Sequence, residues 1–163
     1  MNRYVAFILI GIMIVLACKS GERAASSGFQ NDFTLESIDG ESYTLSELKG
    51  NVIIVDFWAT WCPPCRNSIP ALIKLYDKYH ARGFMILGIS TEDINTLREF
   101  RDAQQIPYPI LSATNEVVKV YEVTAIPKMF FFDKTGAVRK TQTGYSPELE
   151  PQFDRLVDSL LQE

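Results

Sequence analysis

The apolar positions of this chain fall into two regimes. From Val5 to Ala17 they run without interruption (VAFILIGIMIVLA), bracketed by Arg3 and Lys19. Fifteen residues separate those two charges. As a helix they would reach about 22 Å, short of the roughly 30 Å hydrocarbon core of a bilayer. A basic start followed by so short an apolar stretch is the pattern of a secretory signal rather than of a membrane span. Lys19 to Gly28 (KSGERAASSG) is small and polar with no apolar period, the pattern of a flexible tether. Fully extended, such a segment reaches at most about 35 Å.

From Phe29 onward the apolar positions recur with the periods of regular structure. Phe33-Thr34-Leu35 and Tyr43-Thr44-Leu45 flank Asp39-Gly40, a hairpin signal. Ser46 is placed to cap a single turn through Lys49, closed by Gly50. Val52 to Trp58 (VIIVDFW) is almost wholly apolar, as a central strand covered on both faces must be. Ile69, Leu72, Leu75, Tyr76 and Tyr79 recur at helical spacing up to Gly83. Phe84 to Ile89 predicts a second buried strand, Ile94 to Gln104 a helix, Tyr108 to Leu111 a short strand and Glu116 to Tyr121 a short helix. Lys128 to Phe132 and Val138 to Thr143 predict another hairpin around Asp133-Lys134-Thr135-Gly136. Ser146 as N-cap and Pro147 in the first turn open a last helix with an apolar face from Leu149 to Leu161. Strands alternating with helices, then a hairpin, predict one α/β domain over residues 29–163: a mixed central sheet flanked by helices on both faces.

Composition narrows the chemistry. The chain has 163 residues, 22% of them charged, which is the size and mix of one globular domain. Sixteen basic residues against 20 acidic ones leave a net charge of −4, with no basic excess to hold nucleic acid. With a single histidine, His80, neither Ser-His-Asp hydrolysis nor a multi-histidine zinc site is expected. His80 stands at the end of the first long helix, where it complements the helix dipole. Three cysteines, Cys18, Cys62 and Cys65, are too few for a disulfide scaffold.

Cys62-Pro63-Pro64-Cys65 follows the buried strand directly and opens a helix, the context in which a C-x-x-C is a redox motif. A helix N-terminus presents unpaired N–H groups and a positive dipole end, which stabilise a thiolate. Cys62, nearer the loop, is expected to be exposed and to attack; Cys65, one turn on, is expected to be shielded and to resolve the mixed disulfide. Pro63 and Pro64 have no N–H, leaving those of Cys65 and Arg66 for the Cys62 sulfur. With no histidine between the cysteines, the Cys62 pKa is expected to be only modestly lowered and the potential reducing. Pro70 is expected to kink the helix beyond the site. A lone pair of cysteines could hold Cu(I), but no further ligands accompany it, so neither metal nor other cofactor is expected. A peroxidatic cysteine would not need a partner three residues on.

Two resemblances extend this reading. Val15-Leu16-Ala17-Cys18 resembles the lipobox of bacterial lipoproteins. That likeness implies a signal peptide over residues 1–17, lipid on Cys18, and residues 18–28 as the tether of a domain held at a membrane. VDFWATWCPPC resembles the thioredoxin superfamily, in particular the membrane-tethered TlpA/ResA-like thiol–disulfide oxidoreductases. This likeness covers nearly all of residues 29–163 and implies a thioredoxin fold with an N-terminal hairpin. It also implies a TlpA/peroxiredoxin-like insertion around Ser90 to Tyr121, which thioredoxin lacks. It implies that Ile126–Pro127 is a cis peptide facing the cysteines and part of the client-docking surface; Trp61, at the rim, and Pro63 are assigned to the same surface, and Trp58 to the core.

Two positions depart from that family's pattern. Asp56, six residues before Cys62, stands where many TlpA-like proteins have Asn and thioredoxin has Asp. A buried carboxylate without a partner has its pKa raised and suits proton exchange with Cys65. Ser68 stands where many relatives have Glu, so any acid–base role of that Glu is absent. The expectation is a monomeric reductase of protein disulfides in the bacterial cell envelope, lipid-anchored and facing the periplasm or the exterior. The resemblance implies apocytochrome c or another secreted thiol protein as client and a membrane thiol transporter as electron donor. Net oxidation of clients, or Cu(I) carriage by the same two thiols, are the alternatives.

Overall fold

The computed structural model describes residues 28, 29 and 31–163; Cys18, the signal segment 1–17 and all of the 18–28 tether except Gly28 lie outside the described residues. Seven strands form one sheet: β1 (Thr34–Ser37), β2 (Ser42–Thr44), β3 (Val52–Phe57), β4 (Phe84–Ser90), β5 (Ile110–Ser112), β6 (Lys128–Phe132) and β7 (Val138–Thr143). Their order is β2-β1-β5-β4-β3-β6-β7. The central β3, β4 and β5 are parallel, while β6 and β7 on one side and β1 and β2 on the other run antiparallel to their neighbours. Four helices, α1 (Pro63–Tyr79), α2 (Ile94–Gln104), α3 (Asn115–Val120) and α4 (Glu150–Gln162), cover the two faces. The segment from Ser90 to Tyr121 supplies α2, β5 and α3 between the two halves of the sheet.

Every residue of β3 is buried, because this strand lies in the middle of the sheet with cover on both sides. Its side chains alternate between two cores. Val52 and Ile54, with Trp58 just beyond the strand, pack among Ile69, Leu72, Leu97 and Phe153 of the α1, α2 and α4 layer. Ile53, Val55 and Phe57 meet Phe29, Phe33, Leu45 and Tyr121 on the other face. Each such side chain contributes roughly 1.5–3 kcal/mol, and a slip of one residue would exchange the two sets, so the register of β3 is strongly specified. That register places residues 56 and 58 on the α1 side, and the chain passes from the end of the strand through residues 58–62 into α1.

Three local expectations are corrected. Ser46 does not cap the turn after β2: the 3₁₀ turn spans Leu45–Leu48 without a side-chain cap. Instead the Ser46 N–H donates to Asp32 Oδ1 (2.9 Å), an acceptor fourteen residues upstream. Ser146 and Pro147 open a 3₁₀ turn, Pro147–Leu149, and not the α-helix itself. Pro151 has no N–H to give the Pro147 carbonyl, so the α-helical ladder starts afresh with Pro151 in its own first turn. Tyr108 lies ahead of β5, which begins at Ile110, because Pro107 and Pro109 hold that approach out of the ladder. Pro70 lies inside α1, which continues through it as one helix.

Candidate active site

The site is built where β3 gives way to α1. Cys62 is the N-cap of α1, with Pro63 and Pro64 in the first turn, where a missing N–H costs nothing. The Cys62 N–H closes a turn on the Ala59 carbonyl (3.2 Å), and Cys62 and Cys65 are joined by a disulfide with their Cα atoms 5.3 Å apart. The Cys65 N–H donates to Cys62 Sγ at 3.3 Å. The Arg66 N–H is not a second donor to that sulfur, because it donates to the Cys62 carbonyl (3.0 Å) as an ordinary helical bond. Among the described residues one backbone donor therefore serves the Cys62 sulfur, where sequence spacing allowed two.

Cys62 is not exposed as its loop position suggested: it is 3% accessible, and Cys65 is 0%. The cover comes from across the sheet. Lys128 pairs with Phe57 at the end of β3, which brings the preceding Ile126–Pro127 peptide, which is cis, over the cysteines. The Ile126 carbonyl oxygen lies 3.8 Å from Cys62 Sγ. Pro127 is buried and Ile126 half-buried, Pro63 is exposed, and Trp61 stands out from the surface at 70% accessibility. Trp61, Ser90, Glu92, Val118, Ala125 and Ile126 wall a cleft of about 190 Å³ against the turn that leads into Cys62. The surface beside Cys62 is thus framed by Trp61 and Ile126.

Asp56 lies in β3, on the strand face it shares with Ile54 and Trp58. It is 2% accessible, and its Oδ1 has no hydrogen-bond partner among the described residues. Burial alone pushes this carboxyl up from 3.8 to about 7. Gly88 stands opposite it on β4, and Trp58 and Tyr108 close around that glycine. Burial, with the Asp56 charge second, raises the Tyr108 phenol well above its usual value, so it stays protonated. Asp56 shares its face of the strand with Ile54 and Trp58, which pack in one cluster with Cys62 and Cys65. A carboxyl poised near neutrality on this face can take a proton from one thiol and return it to another.

The remaining sequence candidates are placed as follows. Trp58 is buried and tilts against Phe100 with ring centroids 5.4 Å apart. Ser68 is buried, its hydroxyl donating to the Cys65 carbonyl (2.7 Å). His80 is exposed at the far end of α1, stacked on Tyr76 and hydrogen-bonded to the Tyr76 carbonyl. Among the described residues no group of three or more His, Cys, Asp or Glu is gathered to hold a metal ion. Sequence reasoning does not reach Thr60 and Glu92, which hydrogen-bond to each other beside the disulfide. Their contact spans 32 residues, and neither has a local pattern to mark it.

A Cys-x-x-Cys disulfide at a helix N-terminus, a cis-proline loop over it and a buried carboxyl in the strand that leads to it mark a thiol–disulfide oxidoreductase of the thioredoxin fold. The chain belongs to the AhpC/TSA family, whose model matches residues 29–141. Over 155 residues it is 29% identical to the thiol-disulfide oxidoreductase ResA of Bacillus subtilis, covering 87% of each chain. The ResA of Halalkalibacterium halodurans is 30% identical over 142 residues, 85% of this chain and 77% of that one. A thiol:disulfide interchange protein of the thioredoxin family from Chlorobium tepidum superposes with a TM-score of 0.73 at 33% identity. That alignment covers 80% of this chain and 93% of the other.

Proposed function

We propose that this oxidoreductase works outside the cytoplasm, anchored by lipid on Cys18, as a reductase of protein disulfides. The Cys62 thiolate attacks one sulfur of a client disulfide, forming a mixed disulfide and releasing the first client thiolate. Cys65, deprotonated with Asp56 as the acceptor, attacks Cys62 Sγ and releases the second client thiolate. The client gains two electrons and two protons, and the Cys62–Cys65 disulfide remains. A dithiol donor, by the TlpA/ResA likeness a membrane thiol transporter, returns those electrons. The same likeness points to apocytochrome c, or another secreted thiol protein, as client.

The observation that carries the direction is the poverty of donors at Cys62. One backbone N–H reaches its sulfur, and the two prolines add none. A strong oxidant is strong because its reduced, thiolate form is stabilised; a sulfur with one donor and no neighbouring histidine is not. The place where the chain enters the domain suits a tethered enzyme. Gly28 lies against Thr135 at the β6–β7 turn, and β6 runs antiparallel to β3, whose other end leads to Cys62. A tether arriving at Gly28 joins the end of the sheet opposite the disulfide and leaves the site facing away from its attachment.

Equilibration of the protein with dithiothreitol or glutathione redox buffers tests the direction. A potential near or below that of thioredoxin, about −270 mV, is expected; one near −120 mV would overturn it. A Cys65→Ser variant expressed in the native host is expected to hold clients on Cys62, and membrane fractionation with a Cys18→Ser control reads the anchor.

A further inference from the structure

Cys62 and Trp61 are delivered by a tight turn, Ala59-Thr60-Trp61-Cys62, closed by the Cys62 N–H on the Ala59 carbonyl (3.2 Å). A turn of this kind leaves the N–H of its second residue without a partner inside the turn. That N–H, on Thr60, donates to Glu92 Oε2 at 2.7 Å, and the Thr60 hydroxyl lies 2.6 Å from Oε1 of the same carboxylate. Glu92 is itself held from behind: the Ser90 hydroxyl lies 3.2 Å from Oε2, and the Glu92 N–H donates to Ser90 Oγ (3.3 Å). Ser90 is the last residue of β4 and is buried, so the anchor is the sheet and not the loop. Both carboxylate oxygens are thus spent on one residue of the active-site turn. The carboxylate also walls the cleft that Trp61 and Ile126 line.

We propose that Glu92 is a positioning residue for disulfide exchange, acting in two ways through one carboxylate. It clamps the turn, so that Trp61 and the Cys62 sulfur keep the orientation in which a client disulfide can be attacked. Charge-assisted hydrogen bonds are the strong kind, and a misplacement of about 1 Å at a reacting atom costs on the order of 100-fold in rate. It also places a negative charge near Cys62. Two residues of chain span at most about 7 Å, so the carboxylate lies within roughly 10–12 Å of the Cys62 backbone. A negative charge at that range disfavours the thiolate in the reduced protein, reinforcing the donor-poor environment of the sulfur. Arg66, the cation next along the chain, is turned toward the Phe100 ring (6.0 Å) rather than toward Glu92.

The test separates the clamp from the charge in the full-length chain. Glu92→Gln keeps the size and an acceptor oxygen but removes the charge. With the protein reduced, the rate of Cys62 alkylation by iodoacetamide is followed from pH 5 to 10 by peptide-resolved mass spectrometry, which ignores Cys18. The Gln variant is expected to alkylate roughly two- to ten-fold faster at pH 7, with its midpoint moved down in pH. This readout does not depend on the direction of the net reaction, so it stands apart from the reductase reading. For the clamp, kcat/KM in insulin reduction is measured for Glu92→Ala, Thr60→Val and the double variant. Glu92→Ala, which breaks both contacts, is expected to lose roughly ten-fold; Thr60→Val, which breaks only the hydroxyl contact and leaves the Thr60 N–H on Oε2, is expected to lose less, and the double variant no more than Glu92→Ala. Wild-type alkylation behaviour in Glu92→Gln, or single losses that simply add in the double variant, would overturn the proposal. A merely structural role would lower unfolding temperature in all variants while leaving the alkylation midpoint in place.

Discussion

Replacing Asp56 by Asn should make the protein more stable at alkaline pH and, by the cost of its unpartnered amide, somewhat less stable in acid. Asp56 titrates at about 7 in the folded protein, with burial as the cause, against 3.8 for an ordinary aspartate. Between those values the folded state binds a proton that the unfolded chain has released, so stability falls as pH rises through the window. Below about pH 4 both states are protonated and the penalty vanishes; above about pH 7 it is complete. Each unit is worth 1.36 kcal/mol, so the full penalty is about 4 kcal/mol and the part falling between pH 5 and 8 is about 2.5 kcal/mol. An Asn carries no charge to desolvate, but its buried amide has no partner at the Oδ1 position. That offsets about 1–3 kcal/mol, leaving a net gain of about 1–3 kcal/mol at pH 8.

Urea unfolding of the oxidised protein at pH 5, 6, 7 and 8, for wild type and Asp56→Asn, measures this directly. The other carboxylates are common to both proteins and cancel in the difference, so the difference curve should bend near pH 7. Profiles that run parallel within about 0.5 kcal/mol from pH 5 to 8 would mean that Asp56 carries no such burial penalty. The same substitution has a kinetic signature. Resolution of the mixed disulfide by Cys65 should show an inflection near pH 7 in wild type that is absent in Asp56→Asn. A resolving rate unchanged across pH 6–9 would remove the proton role.

Three further outcomes follow from single contacts. Trp61→Ala removes a side chain that is 70% accessible, so unfolding should move by no more than about 0.5 kcal/mol while KM for a protein client rises; an unchanged KM would remove Trp61 from the docking edge. Gly88→Ala would put a Cβ 3.0 Å from Trp58 Nε1, which belongs to a rigid ring packed on Phe100, and should cost about 1–3 kcal/mol in urea unfolding with a shift in tryptophan emission. Asp133 accepts from the Thr135 N–H, the Thr135 hydroxyl, the Ala137 N–H and Arg139, so Asp133→Ala should cost about 2–4 kcal/mol, with Asp133→Asn recovering part of it in thermal unfolding.

The contrast between Asp56 and Glu92 shows which parts of this site a sequence displays. A carboxylate inside VIIVDFW interrupts an apolar run, and a run of that kind in a six-residue strand forces burial on both faces. Its environment is therefore implied by its neighbours in the chain. The same holds for Cys62 and Cys65, whose place at a helix start follows from the strand before them and the prolines between them. Most elements were legible on these terms, α2 and the β6–β7 hairpin to the residue. What the chain's spacing did not display were partners supplied from afar: Asp32 under the Ser46 turn, and the Ile126 carbonyl that covers a cysteine expected to be open. Glu92 is the extreme case. In Ser90-Thr91-Glu92-Asp93 it has the look of any polar residue ahead of a helix whose N-cap is Asp93. Only the parallel pairing of β3 with β4, Phe57 opposite Ile89, carries it to Thr60. A residue whose role is fixed by strand pairing rather than by spacing becomes visible when the sheet is assembled. In this protein the surroundings of Cys62 are largely of that kind.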